Sequence, residues 1–160
     1  MGKFSNELKW GAIFTVAVLL WSVIEKTGGL YSTRIDNYAI YTNLFAVVAI
    51  VIYVFALREK KFKFFSGNMN WKQGFVSGLY MTVVITILSP LCQLIIHKII
   101  APGFLPNLIN YKVSNGYLTR TAAESYFNLE SQIYQSSSFA LSVGVVTSAI
   151  VAFFVKTKKS

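Results

Sequence analysis

The sequence has few of the residues on which most catalytic and metal sites depend. Its 160 residues include only six Asp and Glu together, one His and one Cys. The lone Cys92 excludes an intramolecular disulfide, and its place in an apolar run indicates a buried apolar side chain. Neither a metal-ligand motif such as H-E-x-x-H nor a G-x-S-x-G motif nor a glycine-rich phosphate loop is present. We therefore expect no enzymatic activity, no cofactor and no metal.

Charged residues are also scarce. They make up 13% of the chain, whereas ordinary globular chains have about 25%. Apolar residues make up 54%, and a small soluble domain cannot cover so much apolar surface with so few charges. The net charge of +9 comes from basic residues that lie between and beyond long apolar runs. This pattern indicates membrane topology, with the lipid bilayer as partner, and not nucleic-acid binding.

Four long segments lack Asp, Glu, Lys and Arg. A membrane-spanning helix needs about 20 apolar residues, and continuous runs favour helices over the alternating strands of a barrel. We therefore predict an all-α fold, a four-helix transmembrane bundle that forms a single domain over residues 1–160. The predicted spans are approximately 8–26, 37–57, 72–98 and 131–155. The first has the shortest apolar run.

The basic residues also predict the orientation of the bundle. Ten Lys and Arg lie on the side of the two termini and of the loop between the second and third spans, and five lie on the other side. The positive-inside rule assigns the denser side to the cytoplasm. Both termini are therefore predicted to be cytoplasmic.

The longest connection, the outer loop 99–130, contains several structural signals. Pro102 and Gly103 end the third span, and a short interfacial helix is predicted over 108–113. Thr121-Ala122-Ala123-Glu124 matches a capping box, in which a hydroxyl and a carboxylate each accept from a free backbone N–H. A helix from Ala122 to Val155 would be about 50 Å long. We therefore expect the fourth helix to extend beyond the bilayer on the outer side.

Polar and small residues recur along the third and fourth spans at steps of three or four, which holds them on one helical face. Polar faces in membrane helices point inward, and small residues mark close helix contacts. The candidate polar intramembrane face comprises Asn43, Thr82, Thr86, Ser89, Gln93, His97 and Gln135. The candidate packing residues are Gly74, Gly78, Ala140, Gly144, Ser148 and Ala152.

Two interpretations of this face remain open. It either packs helices together through small residues and hydrogen bonds, or Gln93 and His97 line a polar cavity. Glu25, at the end of the first span, is either an interfacial terminus or a partner of His97 on the same outer side. None of the spans has a central Asp or Glu, which argues against a proton relay.

Short motifs along the chain resemble a bacterial family described as domain of unknown function 4199. The similar stretches are Tyr41-Thr42-Asn43-Leu44-Phe45-Ala46, Asn70-Trp71-Lys72-Gln73-Gly74, Leu88-Ser89-Pro90-Leu91 with Gln93 and His97, Ala123-Glu124-Ser125-Tyr126-Phe127-Asn128, and Thr147-Ser148-Ala149-Ile150-Val151-Ala152. Cys92 is a departure from the family pattern. The resemblance implies a small multi-spanning inner-membrane protein of unassigned biochemical role, and it supplies no catalytic residues.

The sequence supports two main hypotheses about function. The first is a non-enzymatic structural or complex-forming component that associates with itself or with another membrane protein, because small-residue stripes favour helix association. The alternative is a subunit of a small transporter or channel, which would use the polar face of the third helix. A third hypothesis, an intramembrane enzyme, has no nucleophile–base pair in the sequence to support it.

Overall fold

Helices dominate the computed structural model, which describes residues 4–157. A 3₁₀ turn, Ile35–Asn37, precedes α2, and a π-helical segment, Ile96–Ile100, follows α4. The α-helices are α1 (Ser5–Thr27), α2 (Tyr38–Asn43), α3 (Phe45–Phe64), α4 (Trp71–Ile95), α5 (Phe104–Ser114), α6 (Arg120–Tyr126) and α7 (Leu129–Val155).

Four helical segments are long and apolar enough to cross a membrane. They are Ser5–Thr27, Ile35–Phe64, Trp71–Ile100 and Leu129–Val155. The first, which has the shortest apolar run, is a helix of 23 residues because Ser5 to Lys9 extend it before Trp10 and Glu25 to Thr27 extend it after Ile24. The predicted all-α fold with four spanning helices is confirmed.

The core of the bundle lies between α4 and α7, which make the most extensive helix contact. Helix α1 packs on α3 and α4, and α3 also packs on α7. The main apolar cluster comes from α3, α4 and α7 and from the loop before α4, and its most deeply buried members are Leu57, Met69, Met81 and Ala152. The small-residue helices α4 and α7 are therefore central, with α1 packed on α4 and α3 packed on both.

Each end of the bundle holds one buried carboxylate, which we use to name it. The Glu7 end comprises the start of α1, the end of α3, the start of α4 and the end of α7. The Glu25 end comprises the loop after α1, the π-helical segment, α5 and α6. There a second apolar cluster of Tyr31, Ala101, Phe104 and Leu108 packs α5 against the loop after α1.

The fourth spanning helix starts later than predicted, and the capping box at Thr121 is wrong. Thr119 caps α6 instead, accepting from Ala122 N at 3.3 Å. Helix α6 then ends at Tyr126, because Asn128 accepts from Ser131 N at 2.9 Å and starts α7. The predicted continuous helix from Ala122 is thus two helices. With 27 residues, α7 is about 40 Å long, which still exceeds the bilayer core of about 30 Å.

The second and third spans are each interrupted near the Glu25 end. Leu44 separates α2 from α3 within the second span. Helix α4 runs through Pro90 to Ile95 and continues as the π-helical segment. Such π-helical turns are uncommon and occur often at functional sites. At the other end α4 is regular, because Asn70 and Gln73 form a reciprocal capping box with two bonds of 2.9 Å.

Candidate functional site

Three helices meet at a buried hydroxyl group midway along α4. Thr82 is fully buried, and its Oγ1 lies 2.8 Å from the Tyr53 hydroxyl of α3 and 3.3 Å from Ser148 Oγ of α7. Thr82 donates to the Gly78 carbonyl at 2.9 Å, and Ser148 donates to the Gly144 carbonyl at 2.6 Å. Because both hydroxyl protons are used, Tyr53 donates to Thr82. This arrangement joins α3 to α4 at the contact with α7.

The same contact is closely packed around two glycines. A Cβ atom added at Gly78 would lie 2.6 Å from Ser148 Cβ, and one added at Gly144 would overlap the Thr82 side chain. Neither position has room for a side chain unless the helices move apart. Three further residues of the predicted packing set lie against the same core: Gly74, Ala140 and Ala152.

The rest of the predicted polar face divides into separate bonded pairs. Thr86 donates to the Thr82 carbonyl at 2.9 Å within α4. Ser89 donates to Ser136 Oγ of α7 at 3.0 Å. Gln135 lies on an open groove of 550 Å³ at the start of α7. The hydroxyls of Thr86 and Ser89 are thus used in hydrogen bonds within α4 and between α4 and α7. The groove beside Gln135 is open to the outside of the bundle.

Asn43 is not part of this face. Its side chain is exposed, and its amide nitrogen donates to the Ala39 carbonyl at 2.7 Å. This bond stays within α2, which ends at Asn43 because the helix is interrupted at Leu44. The structure therefore separates Asn43 from Thr82 and places it on the outer surface of the second span.

His97 lies in the π-helical segment and is buried. Its ring stacks on Phe104 with a centroid separation of 5.9 Å and an interplanar angle of 4°. Its Nε2 lies 3.1 Å from Gln93 Oε1, one turn earlier. Within residues 4–157, Nδ1 has no hydrogen-bond partner although it is buried. His97 and Gln93 are thus brought together as predicted neighbours on one helical face, beside an aromatic ring of α5.

Glu25 has other partners than His97, so the pairing considered from the sequence is wrong. Its carboxylate is buried and accepts from the Tyr31 hydroxyl at 2.6 Å and from Trp21 Nε1 at 3.1 Å. Burial, and then the hydrogen bond to Glu25, raise the pKa of the Tyr31 hydroxyl well above its usual value. Tyr31 therefore keeps its proton and closes the loop after α1 onto the end of that helix.

The Glu7 end holds a buried ion pair that the sequence analysis missed. Lys60 Nζ lies 2.8 Å from Glu7 Oε1, and both side chains are more than 90% buried. Ser77 of α4 donates to the same carboxylate oxygen at 2.6 Å. Beside it, Asn6 donates to the Ala56 carbonyl at 3.1 Å. These bonds connect α1 to α3 and α4 through polar groups.

A periodic signal for this cluster exists in the sequence. Glu7, Gly11, Ser22 and Glu25 are all buried and lie at helical spacings on one face of α1. The apolar run of the first span begins only at Trp10, so Glu7 lies before the run that marks this span in the sequence. In the sequence, Lys60 is one of several cations in the basic segment between the second and third spans. Recognising the pair needs the tertiary contact between α1 and α3.

A second carboxylate at the Glu7 end is less buried. Glu59 of α3 forms ion pairs with Lys9 and with Lys63, and it accepts from Trp10 Nε1 at 2.7 Å. Lys9 and Trp10 belong to α1, so this network also ties the start of α1 to the end of α3. Its partners are partly exposed, which distinguishes it from the Glu7 pair.

Four apolar helices held together by buried polar groups define a multi-pass helical membrane protein. In residues 4–157 no group of three or more His, Cys, Asp or Glu could hold a metal ion. The chain belongs to the family described as Protein of unknown function (DUF4199), whose family model matches residues 9–157. This confirms the resemblance seen in the sequence. No curated protein and no solved structure matches the chain.

Proposed function

We propose that this protein is a non-enzymatic, complex-forming component of the bacterial inner membrane. The central support is the use made of the polar groups of α4. Thr82 is bonded to Tyr53 beside Ser148, and Ser89 is bonded to Ser136, so these groups hold helices together. Because these buried polar groups are used for packing, we infer that the protein acts through contacts of its outer surface with other membrane helices.

The outer surface carries an exposed amide at membrane depth, the side chain of Asn43. Asn43 is exposed and lies about 15 residues before Arg58, or about 22 Å along a helix, inside the core of about 30 Å. An amide in hydrocarbon favours a hydrogen bond to a neighbouring helix. Asn43 is therefore the position at which we expect a second membrane helix, from another copy or from a different protein, to contact the bundle.

A photo-crosslinking amino acid at Asn43, activated in native membranes, tests this proposal. The matched control carries the same amino acid at Ile87, an exposed apolar residue of α4. We expect a discrete protein adduct from position 43 and lipid adducts from position 87. If neither position gives a protein adduct and the protein purifies as a monomer in mild detergent, the proposal is wrong.

We further propose that the Glu7 end faces the cytoplasm, with both termini on that side. The support is the distribution of charge, since ten of the 15 cations belong to this end or to the segments beside it. Lys60 is among them, but because it is paired with the Glu7 carboxylate it contributes less than the other cations to the predicted orientation.

A transporter or channel subunit is the second candidate. Two observations favour it: the buried His97 Nδ1 without a partner in the described residues, and the open groove beside Gln135. Cysteines introduced at Thr86 and Gln93, in a Cys92→Ser background, test for a water-filled path. Our first proposal expects both to resist water-soluble thiol reagents, because it assigns this face of α4 to helix packing and provides no water-filled path. Rapid modification of both would favour the transporter.

A further inference from the structure

A groove of 290 Å³ lies beside the buried ion pair at the Glu7 end. Its charged members are Glu7, Lys60 and Lys72, and its apolar members include Phe4, Val76 and Tyr80. Small-molecule sites begin at about 300 Å³, so the groove can take one headgroup and the first part of a chain. It is formed by α1, α3, α4 and the loop before α4, all of which meet at one end of the bundle.

The ion pair leaves one buried oxygen without a donor. Glu7 Oε1 receives both Lys60 and Ser77, whereas Oε2 has no hydrogen-bond partner in the part of the chain that the structure describes. A buried carboxylate oxygen without a donor is unfavourable. A ligand that carries an N–H group, and above all a positive one, would satisfy it.

An apolar track leads from the groove along α4. Val76, Tyr80, Val83 and Ile87 follow each other at steps of four, three and four, and all are exposed. Phe4 packs on Tyr80 with a ring separation of 4.7 Å and borders the start of this track. A track of exposed apolar side chains parallel to a membrane helix suits an acyl chain.

We propose that the groove binds a membrane phospholipid whose headgroup carries a primary ammonium. The ammonium donates to Glu7 Oε2, the phosphate accepts from the exposed Lys72, and an acyl chain follows Val76 and Tyr80. The ligand is zwitterionic, which matches a groove with two cations and one carboxylate. This site is independent of the complex proposed above, since it lies at the Glu7 end and Asn43 lies near the other end.

Native mass spectrometry of the full chain in detergent tests the proposal. The added lipids are phosphatidylethanolamine, phosphatidylcholine and phosphatidylglycerol with identical acyl chains. Phosphatidylcholine has the same charge as phosphatidylethanolamine but a trimethylated nitrogen without an N–H. We expect phosphatidylethanolamine to be retained about tenfold better than the other two, because a charge-assisted hydrogen bond is lost in each. Equal retention of the three, or a preference for either other lipid, overturns the proposal.

Matched variants locate the binding. Glu7→Gln and Lys72→Gln are each expected to reduce phosphatidylethanolamine retention about tenfold. Their controls, Glu59→Gln and Lys63→Gln, change charges at the same end that do not line the groove. They should leave retention unchanged.

Glu7→Gln also breaks an ion pair and can unfold the chain, so a second variant leaves that pair intact. Val76→Trp fills the groove from an exposed position of α4, and Val146→Trp, at an exposed position of α7 away from the groove and the track, is its control. Loss of selective retention in Val76→Trp alone supports the site. Undiminished retention in Val76→Trp overturns it.

Discussion

Individual hydroxyl groups contribute unequally to the stability of this bundle, and Thr82 and Thr86 illustrate the difference. Both donate to the carbonyl four residues earlier in α4. Only the Thr82 hydroxyl, of the two, also accepts from a neighbouring helix, through Tyr53. Its removal would take away the acceptor to which the buried Tyr53 hydroxyl donates.

Thr82→Val is therefore expected to destabilise the protein by about 1 kcal/mol, the cost of a lost interhelical bond in a membrane. Thr86→Val, with the same change of atoms, should have a much smaller effect. Unfolding in mixed detergent micelles, followed by circular dichroism, gives both values. Equal destabilisation by the two variants would contradict the assigned role of Thr82.

Glu7 and Glu59 make a second contrast at the scale of residues. Glu7→Gln leaves Lys60 buried beside a neutral partner, so we expect a loss of about 3 kcal/mol. Glu59→Gln affects a more exposed network, and we expect a loss of about 1 kcal/mol or less. The same unfolding measurement compares them. Similar small losses for both variants would show that the Glu7 pair is hydrated.

The residues of the α4–α7 contact could be found from the sequence, because a step of four holds small side chains on one face. Gly78, Gly144 and Ser148 lie where this periodicity puts them. The Glu7 pair could not be found in this way. Ser77 and Glu7 are 70 residues apart, and no local pattern specifies which distant groups will meet.

At the scale of helices, capping decides where the fourth span begins. Thr119, Thr121 and Asn128 are all suitable caps by residue type. Asn128 prevails at α7 because its oxygen accepts from Ser131 N while its nitrogen donates to the Ser125 carbonyl at 2.7 Å. All three candidates can be recognised in the sequence, but which of them caps α7 depends on how α5 and α6 pack.

Asn128→Ala should therefore cost about 1 kcal/mol, the usual loss for a helix cap. It should also increase amide hydrogen exchange in the first turn of α7. Thr121→Ala is the control, since Thr121 is exposed and α6 is capped by Thr119. A larger effect at Thr121 than at Asn128 would restore the continuous helix predicted from the sequence.

Gly144 sets the distance between α4 and α7. Gly144→Ala forces its new methyl group against Thr82, so the helices must separate, at a cost of about 1–3 kcal/mol. Gly103→Ala is the control, because the nearest atom to its added Cβ would be Asn107 Nδ2 at 3.8 Å. Thermal unfolding in detergent compares the two variants. A neutral Gly144→Ala would show that the α4–α7 contact is looser than described.

For the whole molecule, four spans follow from composition, because apolar runs of membrane length allow few other structures. The orientation of the bundle in the membrane is predicted from the distribution of charge alone, so it needs a direct measurement. In a Cys92→Ser background, Lys63→Cys and Ser114→Cys place exposed thiols at opposite ends of the bundle.

A membrane-impermeant maleimide added to spheroplasts should label Ser114→Cys and leave Lys63→Cys unlabelled until the cells are lysed. The reason is that Lys63 belongs to the dense basic segment expected in the cytoplasm. Labelling in the reverse order would invert the proposed orientation and put the phospholipid groove in the outer leaflet.

The buried polar face of α1 has a consequence for how the protein is made. Glu7 receives its hydrogen bonds from Lys60 and Ser77, which leave the ribosome long after α1. Until then, we expect the carboxylate to stay in the headgroup region, since an unpaired charge is costly in hydrocarbon. We therefore expect α1 to reach its final depth only after α4 has been inserted. Assembly of the bundle would then end with the docking of α1 on α3 and α4.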